Sequence, residues 1–369
     1  MNLAEIAPQH IRDIAPYQPG KPTSELAREL GLNEADIIKL ASNENPLGVS
    51  PKAMVAMQAA LPQLALYPDG NGYGLKDVIS KKLKVSHDNI VLGNGSNDIL
   101  EFAARTFLTP ADSAVYSQHA FAVYPLAVKA VGARGIEVPA RNFGHDLDAM
   151  LAAIEPNTKL MFIANPNNPT GTIIDAAVLY AALKKVPAQV LVVMDEAYTE
   201  YLPKHLRLDT ASWIKELPNL VISRTFSKAY GLAGLRVGYG IAHQEVVALM
   251  NRVRQPFNVN LLAQVAAAAA LNDEDFLERS YVVNEQGMAQ MLTGFTALKL
   301  DHIPSFGNFV CVKIGALGGG AGAVFQKLLK AGVIVRPIAS YGMPEYLRIS
   351  IGTNDENAKF LSALEIALK

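Results

Sequence analysis

Between about residue 75 and residue 225 the chain repeats one phrase: a short run of apolar residues, then a segment with helical periodicity. The runs at 90–92, 113–116, 135–138, 159–164, 190–194 and 220–222 read as strands. The segments 75–84, 98–108, 121–131, 147–154 and 175–186 read as the helices between them. Such alternation predicts a mostly parallel sheet with crossover helices on both faces. The run Gln189-Val190-Leu191-Val192-Val193-Met194 does not alternate with polar residues, as expected of a strand buried on both sides. The pattern also says where to look for chemistry, because open α/β sheets bind ligands outside the carboxyl ends of their strands.

The flanks are organised differently. The first residues hold an extended Pro/Gly segment, Tyr17-Gln18-Pro19-Gly20-Lys21-Pro22, a short helix at 24–30 and a strand-like run at 37–41. From 242 to 290 the pattern is of long helices, and from about 298 short strands and helices return, one strand expected over 333–336. The expected division is an N-terminal arm with part of a small domain at 1–45, a large domain at 46–255, and a linking helix with a smaller α+β domain at 256–369.

Composition excludes several functions. With 33 basic and 34 acidic residues, the net charge of −1 leaves no basic stripe for nucleic acid. The single cysteine, Cys311, lies in an apolar run, so neither an intrachain disulfide nor a thiolate metal cluster can form. The seven histidines are scattered, and no metal site is expected. No apolar run is long enough to cross a bilayer, and the N-terminus lacks a basic segment before an apolar core. A cytoplasmic protein is expected.

Four stretches follow apolar runs. Gly93-Asn94-Gly95-Ser96-Asn97-Asp98 has small residues at a helix start, where free N–H groups meet an anion; an ordinary capped turn would read the same. Asn165-Pro166-Asn167-Asn168-Pro169-Thr170-Gly171 has two Asn-Pro steps, a rigid turn that can hold an asparagine against a ligand. Asp195 ends a buried strand, where an acid needs a partner: a cation, a metal or a protonated ring nitrogen. In Ser223-Arg224-Thr225-Phe226-Ser227-Lys228, a lysine follows a strand among hydroxyl residues, with Arg236 beyond a glycine-rich run. A lysine desolvated at such a place becomes a nucleophile. Ring-nitrogen acid, Schiff-base lysine and phosphate cup are together what pyridoxal phosphate requires.

With these motifs the chain resembles the fold-type I aminotransferases, and within them the histidinol-phosphate aminotransferases. The resemblance runs from Ile11 to the C-terminus. It rests on the stretches just quoted and on Lys39-Leu40-Ala41-Ser42-Asn43-Glu44-Asn45-Pro46, Arg254-Gln255-Pro256-Phe257-Asn258-Val259-Asn260 and Leu347-Arg348-Ile349-Ser350. It implies a seven-stranded sheet in the large domain and pyridoxal 5'-phosphate as cofactor. Lys228 would carry the cofactor as a Schiff base, and Asp195 would pair with its ring nitrogen. Tyr198 and Asn168 would hydrogen-bond its phenolic oxygen, and Phe121, where many members have tyrosine, would stack on the ring. Gly95, Ser96, Asn97, Thr225, Ser227 and Arg236 would hold the phosphate. A homodimer with shared sites is implied, Tyr67 reaching the neighbouring subunit's cofactor phosphate. Arg348 would bind the carboxylate of glutamate or the phosphate of histidinol phosphate, helped by Arg336 and Tyr17, with Asn43 and Asn45 lining the entrance. The implied reaction is ping-pong transamination between histidinol phosphate and 2-oxoglutarate, in histidine biosynthesis. An aromatic amino acid aminotransferase, or a threonine-phosphate decarboxylase on the same motif set, stands as the alternative.

Overall fold

The computed structural model describes residues 3–18 and 20–369; Met1, Asn2 and Pro19, the last in the Pro/Gly segment, lie outside the described residues. Seven strands form the main sheet in the order Ile90–Gly93, Gly238–Ala242, Leu220–Thr225, Leu191–Asp195, Thr158–Ala164, Ser113–Ser117, Arg134–Val138. Gly238–Ala242 runs antiparallel to both neighbours, and the other pairings are parallel. Helices Tyr73–Leu83, Ser96–Phe107, Val123–Ala130, Leu147–Ala152 and Ala176–Leu183 stand where the periodicity predicts them.

Successive strand residues point to opposite faces, and both faces are buried. Val192, Met194, Met161 and Ile222 enter one core; Leu191, Val193, Leu160, Phe162 and Val221 enter the other. This explains the unbroken apolar runs.

In the main sheet one strand escapes the sequence reading. Gly238-Tyr239-Gly240-Ile241-Ala242 carries two glycines, which weaken a strand signal. Their place here is a close approach. A Cβ on Gly238 would sit 2.5 Å from the Ser96 backbone nitrogen and 2.8 Å from the Arg224 carbonyl oxygen, and one on Gly240 would sit 2.9 Å from Ile99 Cγ2. Without side chains, the strand lets the start of the Ser96–Phe107 helix lie against the sheet edge.

The C-terminal part builds a four-stranded antiparallel sheet, ordered Arg336–Pro337, Tyr346–Ser350, Phe309–Lys313, His302–Ile303. The single strand expected over 333–336 is divided. Val333–Ile334 pairs in parallel with Ile38–Lys39, while Arg336–Pro337 forms an edge of the four-stranded sheet. An edge is where proline, lacking an N–H, fits. Ile38 and Leu40 share a core with Val310, Leu347 and Phe360, so the residues just after the arm pack with the C-terminal sheet. Among the described residues no helix is long and apolar enough to cross a membrane.

Candidate active site

The carboxyl ends of the central strands and the start of the Ser96–Phe107 helix open on one cleft of about 140 Å³. At its floor Asp195 ends its strand, only 5% exposed. Asp195 Oδ2 accepts from the Tyr124 hydroxyl at 3.0 Å, and Oδ1 accepts from the Ala197 N–H at 3.1 Å. Burial pushes this carboxyl up to about 6, against the pull of those two hydrogen bonds. An acid so placed is short of a cation. Tyr124 was not among the expected residues. It sits inside an apolar helix, and nothing local marks its hydroxyl.

Lys228 stands in the turn just past Leu220–Thr225. Its Nζ donates to the Ser42 carbonyl oxygen at 3.1 Å and lies 5.8 Å from the centre of the Tyr198 ring. Burial first, then the Arg348 guanidinium, lowers its pKa to about 8. The amine is therefore close to its neutral, nucleophilic form.

The rim near Lys228 is shaped for an anion. Gly95 has φ +80°, and a Cβ there would lie 2.7 Å from Arg236 Nη2. Only glycine lets Arg236 reach the helix start. Arg236, itself at φ 56°, donates to Ser227 Oγ at 3.4 Å and to the Asn94 carbonyl oxygen at 3.4 Å. Thr225 Oγ1 accepts from the Ser227 N–H at 3.1 Å. Ser96, Asn97, Thr225, Ser227 and Arg236 all line the cleft. Phe121 lines it too, edge-on to Tyr124 with ring centroids 5.9 Å apart.

The opposite wall joins the two sheets. Both Asn-Pro bonds, Asn165-Pro166 and Asn168-Pro169, are cis. Asn168, which lines the cleft, has its Oδ1 engaged as acceptor from Arg348 Nη1 at 2.6 Å. Arg348 Nη2 donates to the Ala41 carbonyl oxygen at 2.8 Å, while its Nε is buried with no partner among the described residues. The Tyr198 hydroxyl accepts from Asn43 Nδ2 at 2.9 Å and keeps its proton, burial pushing its pKa up to about 12. Asn43 is held in turn by Ser350 Oγ, which donates to Asn43 Oδ1 at 3.0 Å. Ser350 was also not expected, because its partner lies at the other end of the chain.

The remaining candidates stand apart. Asn45 Nδ2 donates to the Ala229 carbonyl oxygen at 2.9 Å and to Ser280 Oγ at 2.8 Å, so its amide ties loops together. Arg336 donates to the Gln18 carbonyl oxygen at 2.7 Å, and its guanidinium lies 5.4 Å from the centre of the Tyr17 ring. Tyr17 is 50% exposed. Tyr67 is 82% exposed, stacked on Phe257 outside the cleft. Cys311, fully buried, donates to the Pro169 carbonyl oxygen at 2.9 Å, and burial pushes its pKa up to about 12.

Residues 35–364 match the model of aminotransferase class I and II. The chain belongs to the class I and II aminotransferases. Histidinol-phosphate aminotransferase of Methylobacillus flagellatus is 62% identical over 367 residues, 100% of this chain and 98% of the relative. Histidinol-phosphate aminotransferase 2 of Nitrosospira multiformis is 58% identical, over 100% of this chain and 93% of the relative. Among solved structures, histidinol-phosphate aminotransferase of Sinorhizobium meliloti in complex with pyridoxal-5'-phosphate superposes with a TM-score of 0.89 at 27% identity. That match covers 98% of this chain and 96% of the other. The residues present fit the cofactor such aminotransferases use. A buried acid short of a cation, a near-neutral amine and an anion cradle that a Cβ would fill are what its ring nitrogen, aldehyde and phosphate would require in turn.

Proposed function

We infer that the chain is a pyridoxal-phosphate-dependent aminotransferase that moves the amino group of L-histidinol phosphate to 2-oxoglutarate, giving imidazole acetol phosphate and glutamate, in L-histidine biosynthesis. The observation that carries this reading is Lys228 and Asp195 facing one cleft, the amine lowered toward its neutral form and the acid raised by burial because it lacks a cation. Relatives of that name at 55% to 62% identity support the substrate.

When bound, pyridoxal phosphate supplies a ring that draws electrons from the substrate carbon. The chain's residues do the rest. The Lys228 amine would hold the aldehyde carbon and, once displaced, take the proton from the substrate carbon that bears nitrogen. Asp195, ionised, would keep a proton on the ring nitrogen, and Tyr124 keeps Asp195 oriented. Tyr198 and Asn168 would donate to the phenolic oxygen. The N–H groups at Gly95, Ser96 and Asn97, with Thr225, Ser227 and Arg236, would hold the phosphate. Phe121 would cover one ring face. Arg348 would take the substrate anion bidentately, a carboxylate from glutamate or a phosphate from histidinol phosphate. Arg336 and Tyr17 would add to the phosphate alone.

A homodimer in the cytoplasm belongs to the same reading, Tyr67 reaching the partner's cofactor phosphate. The exposed Met54, Val55, Leu64, Leu66 and Tyr67, the last stacked on Phe257, support it. Sedimentation of the holoenzyme tests it: a dimer is expected, and a monomer at working concentration sinks it.

A substrate panel with 2-oxoglutarate as acceptor tests the reaction. Histidinol phosphate is expected to outrun tyrosine and phenylalanine in kcat/KM. Faster turnover of either amino acid, or carbon dioxide release from threonine phosphate, overturns the reading.

A further inference from the structure

On the reverse side of the strand ends that floor the cleft lies a buried ion pair, which the proposed reaction does not use. Successive residues of an extended strand point to opposite faces. Asp195 and Thr225 line the cleft, and their neighbours Glu196 and Arg224 point away from it. Glu196 is 4% exposed and Arg224 9%. Arg224 Nε donates to Glu196 Oε2 at 2.8 Å, and Arg224 Nη2 donates to Thr210 Oγ1 at 3.3 Å. Tyr239, the register partner of Arg224 on the next strand, is buried too. Arg224 also lines a separate cavity of about 340 Å³, together with Glu200 and Tyr230.

Cohesion alone does not account for this pair. The strands Leu191–Asp195 and Leu220–Thr225 are already in register from Val192 with Leu220 to Asp195 with Ser223. The Glu196 N–H extends that ladder, donating to the Ser223 carbonyl oxygen at 2.8 Å. Taking two charges out of water offsets most of what their attraction returns, and an apolar pair of similar volume holds strands as well or better. What an apolar pair lacks is direction. A planar guanidinium bonded at Nε and Nη2 to two different side chains has one orientation. It acts where two functional stretches leave the sheet. Glu196 follows Asp195 directly, and Arg224 stands just before the stretch Thr225-Phe226-Ser227-Lys228.

We propose that the Glu196–Arg224 pair sets the Asp195 carboxylate and the Lys228 amine at the separation that one cofactor spans, with Arg224 as the positioning residue. The inference rests on the pyridoxal-phosphate reading above.

The test compares the unaltered chain with Arg224→Lys and with the double variant Glu196→Met, Arg224→Met. Lysine keeps the charge and loses the fork. The methionine pair fills the space and removes both charges. Three properties are read: denaturation of the apo chain, affinity for pyridoxal phosphate by absorbance titration, and kcat and KM of the holoenzyme. In the double variant the apo midpoint is expected to stay or rise, while cofactor affinity and kcat fall about ten- to a hundredfold. Arg224→Lys is expected to show the same falls, with KM for each substrate moving by less than about twofold. A double variant that binds cofactor and turns over like the unaltered chain overturns the proposal. So does a loss of apo stability in step with cofactor affinity, which marks plain cohesion. Unaltered affinity and kcat in Arg224→Lys overturn it as well, because charge alone then suffices. If the double variant does not fold, Arg224→Lys decides by the same readings. If the unaltered chain binds no pyridoxal phosphate, the functional reading fails first, and the two failures remain distinct.

Discussion

Two arginines, Arg348 and Arg336, are register partners on adjacent antiparallel strands, yet they are held in opposite ways. Arg348 is 6% exposed and bonded to Asn168, which lines the cleft, and to Ala41. Arg336 is half-buried, bonded to Gln18 and set against the exposed ring of Tyr17 in the arm. The first is part of the fixed wall; the second is only as well placed as the arm. Anchoring decides what each can do. A rigid, desolvated guanidinium can bind either substrate's anion, whereas one coupled to the arm adds strength for a substrate large enough to meet both.

The largest expected effect lies at the fixed wall's other end. Lys228→Ala removes the amine that, in the proposed reaction, would move the proton, and turnover is expected to fall at least about a thousandfold with both substrates. Full activity in this variant breaks the account of the inner wall.

Asp195→Asn comes next. Turnover is expected to drop about a hundredfold or more, with weaker retention of the cofactor. Its stability signature is separate. The folded carboxyl titrates at about 6 against an ordinary value of 3.8. A raised acid holds its proton better folded than unfolded, so the apo chain loses stability as pH rises from about 4 to 6 and keeps that deficit above. The size is about 3 kcal/mol. Asp195→Asn is expected to flatten this limb in apo-protein denaturation, and an unchanged limb contradicts the assignment.

Arg348→Lys cannot keep two forked contacts. About a hundredfold loss in kcat/KM is expected for histidinol phosphate and glutamate alike. Arg336→Lys is expected to cost about tenfold, and only for histidinol phosphate. A larger loss from Arg336→Lys than from Arg348→Lys inverts the comparison.

The smallest effect is in pH. The Lys228 amine, lowered to about 8, becomes neutral as pH rises through that value. The rate at which apo chain takes up pyridoxal phosphate is expected to climb through pH 8 and then level. A rate flat from pH 6 to 9 contradicts the lowered amine.

The sheet was legible because burial on both faces writes itself into local runs such as 190–194. Lys228, Asp195 and the Gly95 loop were legible because each follows such a run directly. What was hidden depends on distant partners. The strand Gly238–Ala242 needs its glycines because of Ser96, Arg224 and Ile99, none of them adjacent. Tyr124 reads as one more apolar helix residue until its hydroxyl meets Asp195. The Arg348–Asn168 contact spans 180 positions, and no local pattern encodes it.

The most direct test of the central claim is borohydride reduction of the holoenzyme followed by peptide mass analysis. The account predicts a reduced pyridoxal phosphate adduct on the peptide that contains Lys228. An adduct on any other lysine, or none, would contradict it.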